Sequence, residues 1–315
     1  MRPASHALAV ATLGATALVW GGTFAAVKYA LNAGLGVEAL LALRFLVGTA
    51  GLGFFLLVLR IRPRAREVKD GLWLGLLLAT LFWLQTDGLR FTTTTKSGFI
   101  TGLYVIFTPM AAAFAGDRLK GSHLAGACLA LAGLSLLVYQ PGTGLAGWNR
   151  GDTETLLNAA LVGVHIVLTS RFSRRSSGWV LAFVQVAFTA AVMTAVAAKA
   201  PGGFRGAGAA LRQPAIWGAL LYLGLLATTL AIWIQSTMQA RVTATETAIL
   251  FSLEPVFAAA LAVSGLVPGI HERLVSWQIL GAGLIVGATL VAELGPRLLR
   301  RPGPAESPEE GPAAS

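Results

Sequence analysis

Ten long apolar runs divide this chain of 315 residues. An α-helix needs about 20 largely apolar residues to cross the hydrocarbon core of a bilayer, and most of the runs approach or exceed that length. They occupy residues 7–27, 37–59, 71–88, 97–116, 121–139, 155–170, 178–198, 214–236, 243–267 and 274–292. Only 12% of the residues are charged, about half the fraction found in soluble domains. The sequence therefore predicts an all-α polytopic membrane protein with ten transmembrane helices.

Basic residues are concentrated in alternate connections between the runs. The largest groups lie within residues 60–69, 171–175 and 297–301, on the side that also holds the N-terminus. Lys and Arg accumulate in cytoplasmic loops, so we expect both termini in the cytoplasm and attribute the net charge of +10 to these loops rather than to nucleic-acid binding. Residues 1–7 would form the cytoplasmic N-terminus, and residues 295–315, rich in Pro, Gly and acidic side chains, a disordered cytoplasmic tail.

A polar phrase occurs twice in the sequence. Residues 83–98 read WLQTDGLRFTTTTKSG and residues 233–248 read WIQSTMQARVTATETA, an offset of 150. Weaker similarity extends towards the N-terminus, where ALVWGGTF from Ala17 aligns with ALVGVHIV from Ala160. The first five runs therefore resemble the last five in order.

This similarity predicts a duplicated fold. The first five-helix repeat would occupy residues 8–140, a linker residues 141–152, and the second five-helix repeat residues 153–294. Because five is odd, the second repeat must enter the membrane from the opposite side, as in transporters built from inverted-topology repeats. We therefore expect Lys96 and Glu246, at equivalent places in the duplicated phrase, to lie at opposite faces of the membrane.

Several motifs within this framework resemble the EamA-like family of the drug/metabolite transporter superfamily. They are LVWGGTFAAVK in the first run, LRF from Leu43 in the second, and SLEPVFAAALA followed by ERL in and after the ninth. The resemblance covers about residues 8–292. It implies a multi-pass carrier of the bacterial inner membrane that moves small metabolites by alternating access, without specifying one substrate.

A stripe of hydroxyl side chains marks one face of the fourth run. Ser97, Thr101 and Tyr104 follow at spacings of four and three residues, so they share a helical face. The positions equivalent to Ser97 and Tyr104 in the ninth run hold Thr247 and Glu254. An ionisable group at the centre of a bilayer is a functional hypothesis by default. Glu254 is the proton-coupling candidate or a ligand for a substrate amine; the alternative is a hydrogen-bonded Glu that fastens its helix to a neighbour.

Further candidates for a substrate cavity are polar or aromatic residues within the runs. They are Trp20, Thr23, Trp83, Gln85, His165, Trp233 and Gln235. His165 is a second proton-coupling candidate because imidazole titrates near neutral pH; the alternative is a His that is simply hydrogen-bonded within the bundle. For the tryptophans, packing or anchoring at the membrane interface is the alternative. Arg44, within the second run, would either bind an anionic solute or form an ion pair that holds the bundle together.

Two prolines interrupt the fourth and ninth runs. Pro109 and Pro255 lack an amide hydrogen, which leaves the carbonyl four residues earlier without its helical partner. Broken helices line the binding sites of many transporters, so both prolines are candidates for helix breaks that act in gating. A static kink is the alternative for each.

The sequence also excludes several classes of protein. A single cysteine, Cys128, leaves no internal disulfide or Cys-ligated metal cluster. His271–Glu272 lacks the second His of the zinc-binding H-E-x-x-H pattern, and no nucleophile elbow or phosphate-binding loop occurs, so we expect no enzyme, no metal, no cofactor and no ATP hydrolysis.

Three readings of the function follow. The first is an exporter of small metabolites such as amino acids, exchanging them with a proton or a counter-solute. The second is a multidrug pump for lipophilic cations, although the first run lacks the acidic residue that small multidrug carriers place there. The third is a non-transporting membrane scaffold. The sequence does not distinguish a monomer from a homodimer, and membrane lipid would surround either.

Overall fold

The computed structural model describes residues 3–118, 121–138, 148–200, 203–266 and 275–298, which contain helices and no strand. The predicted tail at 295–315 and the predicted linker at 141–152 lie largely outside the described residues. Where the linker is described, its last three residues already belong to a helix that begins at Arg150.

The first half of the chain forms six helices. They are α1 (Pro3–Asn32), α2 (Val37–Val58), α3 (Ala65–Phe91), α4 (Thr94–Gly102), α5 (Tyr104–Phe114) and α6 (Gly121–Val138). Because α4 and α5 are separated by one residue, they form a single interrupted span.

The second half repeats this order with more interruptions. Its helices are α7 (Arg150–Phe172), α8 (Gly178–Lys199), α9 (Gly203–Gly206), α10 (Gly208–Leu211), α11 (Pro214–Leu221), α12 (Ala231–Met238), α13 (Ala244–Phe251), α14 (Glu254–Ser264) and α15 (Ser276–Leu298). A π-helical segment, Tyr222–Leu230, joins α11 to α12. Two of the predicted runs, the eighth and the ninth, are therefore built from several helical pieces each.

Eight spans in the described part of the chain are long and apolar enough to cross a membrane. They comprise α1, α2, α3, α4–α5, α7, α8, α11–α12 and α13–α14. This confirms the all-α polytopic fold predicted from the sequence. Helices α6 and α15 contain the shorter apolar stretches Leu124–Gly133 and Ser276–Ala288, so a total of ten crossings stays a prediction in which these two supply the fifth and the tenth.

The helices of the two halves pack against each other in a reciprocal pattern. Helix α1 is equivalent to α7, α3 to α11–α12, and α5 to α14. The packing of α3 on α7 therefore corresponds to that of α12 on α1, and the packing of α5 on α7 to that of α14 on α1. Helix α3 packs on α8, as α2 packs on the π-helical segment. Two further contacts are between equivalent helices themselves, α2 with α8 and α6 with α15. Exchanging the halves therefore leaves the packing pattern unchanged, as a two-fold relationship between them requires.

Helices α4 and α13 begin at opposite ends of the bundle. Near the start of α4, Lys96 Nζ lies 2.7 Å from Asp152 Oδ2, at the start of α7. The start of α13, at Thr243 and Thr245, instead lines a recess with Arg171, at the end of α7. The 23 residues of α7 span about 35 Å at 1.5 Å per residue. The two equivalent spans thus run in opposite directions, the arrangement that an inverted repeat needs.

The duplicated polar phrase forms the caps that start α4 and α13. The Thr93 hydroxyl accepts a hydrogen bond from the Lys96 backbone N–H at 3.2 Å. The Thr243 hydroxyl accepts one from the Glu246 N–H at 3.1 Å, and Glu246 Oε2 accepts one from the Thr243 N–H at 2.7 Å. This reciprocal pair is a capping box. The polar residues at the start of both helices are needed because the first N–H groups of a helix have no partner within the helix and are satisfied here by side chains.

Ion pairs join neighbouring helices at both ends of the bundle. At the end where α4 starts, the partner of Lys96 is Asp152, whose side chain is fully buried and also accepts a hydrogen bond from the Thr92 hydroxyl at 3.0 Å. At the other end, Arg175 lies 2.6 Å from Asp70, which is also buried. These contacts connect α4 to α7 and α3 to the connection before α8.

Candidate functional site

A small cavity lies between the two halves, near the middle of the bundle. Its volume is about 60 Å³, and its walls come from α1, α2, α3, α4, α5, α7, α12, α13 and α14. Eight of the residues singled out in the sequence line it: Trp20, Thr23, Gln85, Thr101, Tyr104, His165, Gln235 and Glu254. Helices α6 and α15 contribute no residue to its lining.

Glu254 and Tyr104 meet at the wall of this cavity. Both side chains are buried, and the Tyr104 hydroxyl donates a long hydrogen bond of 3.4 Å to Glu254 Oε2. Each is the first residue of the helix that follows an interruption, Tyr104 in α5 and Glu254 in α14. The two equivalent side chains therefore meet at the point where both spans are interrupted.

Arg44 is the basic residue of the cavity. Its side chain is buried, with 1% of the residue exposed, and Nε donates to the Thr228 hydroxyl at 3.0 Å. The guanidinium carbon lies 4.4 Å from the centre of the Phe82 ring, a cation–π contact. One terminal nitrogen, Nη2, is buried and has no hydrogen-bond partner in the described part of the chain. Arg44 therefore presents an unused donor inside the protein.

The predicted alternative for Arg44, an ion pair that holds the bundle, does not occur. Among the residues that the structure describes, no carboxylate lies within ion-pair distance of its guanidinium group, and Glu254 shares the cavity without contacting it directly. The positive charge is instead held by a hydroxyl and two aromatic rings, those of Phe45 and Phe82.

The π-helical segment holds Arg44 in place. Thr228 lies in this segment, and its hydroxyl donates to the Leu223 carbonyl at 2.8 Å, five residues back, while accepting from Arg44. Ala227, also in the segment, accepts a hydrogen bond at 3.0 Å from the Trp20 indole N–H. π-Helical turns are rare and are frequent at functional sites. Here the turn supplies both a side-chain and a backbone acceptor to cavity residues.

His165 belongs to a buried hydrogen-bonded chain. Its Nε2 lies 3.0 Å from Gln185 Oε1, and the Gln185 amide nitrogen donates to the Ser236 hydroxyl at 3.1 Å. In the tautomer that carries its proton on Nε2, the imidazole donates to this amide oxygen. The chain links α7, α8 and α12 and gives His165 a structural partner as well as a place on the cavity wall.

The remaining polar groups of the cavity differ in how well they are satisfied. The Thr23 hydroxyl donates to the Trp20 carbonyl within α1 at 2.7 Å. The Thr101 hydroxyl is buried and has no partner among the described residues. A buried polar group without a partner is costly, so Thr101, like Arg44, has hydrogen-bonding capacity that the described residues leave unused.

Four predicted cavity residues lie elsewhere: Trp83, Ser97, Trp233 and Thr247. Ser97 and Thr247 are buried but lie seven residues before Tyr104 and Glu254, about 10 Å along the helix axis. Trp233 stacks on Trp179 with ring centres 4.6 Å apart. Each of the two tryptophans lies two residues from its cavity glutamine, and such positions do not share a helical face.

Sequence reasoning missed most of the apolar wall. Besides Arg44, the unpredicted lining residues are Leu78, Leu81, Phe82, Val162, Ile166, Ile232 and Phe251. Helical spacing from the predicted glutamines identifies several of these apolar residues. Leu78, Leu81 and Phe82 lie seven, four and three residues before Gln85, and Ile232 lies three before Gln235, so each pair shares a face.

Close helix contacts correct the alignment of the two halves by one residue. A Cβ at Gly21 would lie 2.7 Å from Phe257 Cβ, and one at Gly163 would lie 2.9 Å from the Thr108 backbone nitrogen and 3.0 Å from Phe107 Cβ. Phe107 and Phe257 are equivalent at an offset of 150. The glycines are therefore equivalent as well, at an offset of 142, whereas the sequence alignment set Trp20 against Gly163.

With this correction, equivalent positions line opposite sides of the cavity. Thr23 becomes the counterpart of His165, in addition to the pairs Gln85/Gln235 and Tyr104/Glu254. The cavity therefore lies between the two halves, and equivalent residues of each half form its walls.

The two prolines are placed differently with respect to the helix interruptions. The breaks fall at Leu103 and at Ser252–Leu253, and Leu103 and Leu253 are equivalent positions. Pro255 follows its break directly, in the first turn of α14. Pro109 lies inside α5, six residues after the break. Because both halves break at the same place, the break in the first half does not depend on an adjacent proline.

Comparisons with known proteins agree with this architecture. The sequence profile of the EamA-like transporter family matches residues 7–139 and 149–293. An uncharacterized transporter from Archaeoglobus fulgidus is 31% identical over 283 residues, which cover 90% of this chain and 84% of that protein. A crystal structure described only as that of a protein superposes with a TM-score of 0.72 at 22% identity, covering 96% of this chain and 100% of the other, and so shows a shared fold.

Proposed function

Because the chain belongs to the EamA-like transporter family, we propose that it is a secondary active transporter that exports small metabolites such as amino acids. The solute would bind in the central cavity between the halves, which would open to either side in turn. The observation that supports this most directly is that Arg44 and Glu254 line the same small cavity, where a buried guanidinium nitrogen of Arg44 has no partner among the described residues.

The charges of the cavity match those of an amino acid. A guanidinium group binds carboxylates with paired, directional hydrogen bonds, so Arg44 would hold the α-carboxylate. Glu254 would hold the α-ammonium group, and the Thr101 hydroxyl would add a further hydrogen bond. The rings of Phe82 and Phe251 would cover an apolar side chain. Both charged groups of the solute would then be paired when it enters a low-dielectric site, which removes most of the cost of burial.

The size of the cavity supports an alternating mechanism. At about 60 Å³, it accommodates a few water molecules, whereas ligand sites typically measure roughly 300–1,000 Å³. The helices around it must therefore separate before a solute enters. The interruptions at Leu103 and Leu253 divide two lining spans at equivalent places, where each half would pivot. Pro255 keeps its break in place because it cannot donate the missing backbone hydrogen bond.

Glu254 is the group proposed to couple transport to protons. Its carboxyl would hold either a proton or the ammonium group of the solute, but not both, so the arrival of one would release the other. His165 lies on the same cavity wall and would carry the proton towards or away from it. A counter-solute with a cationic group would exchange in the same way.

We place the protein in the bacterial inner membrane with both termini in the cytoplasm. The support is the distribution of basic residues, because residues 60–69 and 171–175 lie at the same end of the bundle and basic loops face the cytoplasm. Export then corresponds to binding from the end that carries Arg175 and release at the end that carries Lys96.

A multidrug pump for lipophilic cations is the second candidate. Its support is the combination of Glu254 with the aromatic rings of Trp20, Phe82 and Phe251, since cations bind to carboxylates and to the faces of aromatic rings. Arg44 in the same cavity opposes this candidate because it repels a solute that carries only positive charge.

Transport in proteoliposomes tests the proposal. Amino acids, other small metabolites and lipophilic cations are screened with and without an imposed pH gradient. We expect flux of a zwitterionic solute, accelerated by the gradient in the wild type and insensitive to it in Glu254→Gln. Glu38→Gln, a matched change outside the cavity in the first turn of α2, should behave as wild type. Flux that ignores both the gradient and Glu254→Gln would contradict proton coupling, and no flux of any solute would favour a scaffold.

A further inference from the structure

A larger cavity opens on the outer surface of the bundle, between α2, α8 and the π-helical segment with α12. Its volume is about 680 Å³, within the range of roughly 300–1,000 Å³ that ligand sites occupy. Its lining is almost entirely apolar and includes Phe54, Phe55, Leu59, Trp179, Leu230 and Trp233. We call it the lateral groove.

The aromatic residues of the lateral groove form a continuous wall. The rings of Phe55 and Trp179 lie 5.4 Å apart, and those of Trp179 and Trp233 lie 4.6 Å apart. Trp179 is the second residue of α8, so it lies near the end of the bundle, where Trp side chains meet the headgroup region of a bilayer. The rest of the wall continues from there along α2 and α12 on the outer surface of the bundle.

The segment that follows the lateral groove along the chain is basic. Leu59, at the end of α2, is followed directly by Arg60, and the next ten residues of the chain also hold Arg62, Arg64, Arg66 and Lys69. Arg60 and Arg62 are exposed and form no ion pair with any residue that the structure describes. Basic clusters next to a transmembrane helix attract anionic lipid headgroups. The apolar groove is thus followed along the chain by a positively charged segment.

Arg60 has an unusual backbone conformation. Its φ of 52° is the only positive φ of a non-glycine residue in the described part of the chain. The N–H groups of Arg60 and Ile61 donate to the carbonyls of Leu57 and Leu56 at 3.1 and 3.0 Å, the pattern that ends many helices and that normally places Gly at this position. A side chain kept at such a position points to a role for that side chain.

We propose that the lateral groove binds an anionic phospholipid. One acyl chain would lie against the aromatic wall, and the phosphate of the headgroup would bind Arg60 and Arg62. A lipid fits better than a second protein copy, because the exposed arginines that follow Leu59, a residue of the groove wall, complement a phosphate and would repel the same arginines of a copy related by two-fold symmetry.

The lipid would support the segment that holds Arg44. Thr229 lines the lateral groove, and its hydroxyl donates to the Gly48 carbonyl of α2 at 3.2 Å. The preceding residue, Thr228, accepts the hydrogen bond from Arg44 on the other side of the segment. A chain in the groove would keep α2 packed on the π-helical segment and so keep Arg44 in position, whichever solute the central cavity carries.

Native mass spectrometry of the delipidated protein in detergent tests the inference. Phosphatidylglycerol and phosphatidylcholine with identical acyl chains are titrated separately, and the bound adducts are counted. We expect phosphatidylglycerol to bind about tenfold more tightly. Arg60→Ala/Arg62→Ala should remove this preference. The control Arg118→Ala/Arg174→Ala, which removes two exposed arginines at the same end from a different recess, should retain it.

A second pair of variants separates the groove from the charges. Leu225→Trp places a large ring in the groove and should weaken the binding of both lipids several-fold, whereas Leu57→Trp, on an exposed position of α2 outside the groove, should not. Equal affinity for the two lipids in the wild type would overturn the headgroup assignment. A dimer that Leu225→Trp dissociates, without any change in lipid adducts, would overturn the proposal in favour of a second protein copy.

Discussion

Tyr104 and Glu254 occupy the same position in the two halves of the chain, and the tyrosine hydroxyl lies 3.4 Å from the glutamate Oε2. Equivalent positions touch only where the axis that relates the halves passes between them. The same point of a nearly symmetric backbone thus carries a phenol from one half and a carboxyl from the other. A solute bound there meets a site with two chemically different sides.

Removing the hydroxyl of Tyr104 should weaken solute binding. In Tyr104→Phe, the Glu254 carboxyl loses a hydrogen bond, which contributes about 0.5–1.5 kcal/mol net, so we expect a two- to tenfold loss of apparent affinity. The measurement is the concentration dependence of flux in proteoliposomes. Tyr29→Phe, the same change in α1 outside the cavity, serves as the control. Equal affinity in wild type and Tyr104→Phe would show that this hydroxyl does not orient Glu254 for the solute.

Arg44→Met should separate function from stability. A buried charge without a counterion is costly, and replacing buried ionic groups by apolar ones is often neutral or stabilising by about 1–4 kcal/mol. We therefore expect Arg44→Met to unfold at the same temperature as wild type or higher, while solute flux is lost. Thermal unfolding in detergent and transport are measured on the same preparation. A variant that unfolds much earlier yet still transports would assign Arg44 to structure instead.

The contact between Lys96 and Asp152 should contribute measurably to stability. The Asp152 side chain is fully buried and that of Lys96 is 31% exposed, so Lys96→Met leaves a buried carboxylate without its cationic partner. After allowance for solvent screening at Lys96, we expect a loss of about 1–3 kcal/mol. The double variant Lys96→Met/Asp152→Asn should regain part of it. Additive losses in this double-mutant cycle would mean that the two side chains are not coupled.

Gly163 should tolerate no side chain, whereas Gly14 should. A Cβ at Gly163 would lie 2.9 Å from the Thr108 backbone nitrogen, and a Cβ at Gly14 has nothing within 4 Å. Gly163→Ala must push α5 away from α7, at a cost of about 1–3 kcal/mol. Gly14→Ala should be neutral or slightly stabilising, because Ala is the better helix former. Unfolding temperatures of the two variants give the answer, and similar values would argue against close packing of α7 on α5.

Labelling of single cysteines tests the opposite orientation of the halves. Arg90 and Ala240 are equivalent positions, at an offset of 150, near the ends of the third and eighth spans. In a Cys128→Ala background, we expect a membrane-impermeant thiol reagent applied to intact cells to label Arg90→Cys. Ala240→Cys should react only after the membrane is opened. Reaction of both cysteines from the same side would remove the basis for an inverted repeat.

The spacing of side chains identified three polar residues of the cavity, whose role in binding stays a prediction. Thr101, Tyr104 and Glu254 were identified from helical spacing and from the duplicated phrase, and all three line the cavity. The same stripe also included Ser97 and Thr247, because periodicity defines a face but not how far along the helix the cavity extends. The sequence was sufficient to predict that Trp83 lies outside the cavity, because a residue two positions from Gln85 lies on a different face of the helix.

The environment of Arg44 was beyond prediction from the sequence. Its partner, Thr228, lies 184 residues away and reaches it only because the span is π-helical at this point. Nothing in the apolar sequence Tyr222–Leu230 distinguishes a π-helix from an α-helix. The one-residue error in aligning Trp20 with Gly163 has a similar origin, because apolar helices match at several registers and only the close contacts of Gly21 and Gly163 select one.

Different residues join the helices at the two ends of the bundle, although the two halves share one repeated fold. Lys96 and Asp152 join helices at one end, and Asp70 and Arg175 do so at the other. Substitutions in one pair leave the other intact, so natural selection is free to adjust the helix contacts at one end of the bundle without changing those at the other. A duplicated gene whose copies have diverged gains this independence, which an assembly of two identical subunits lacks.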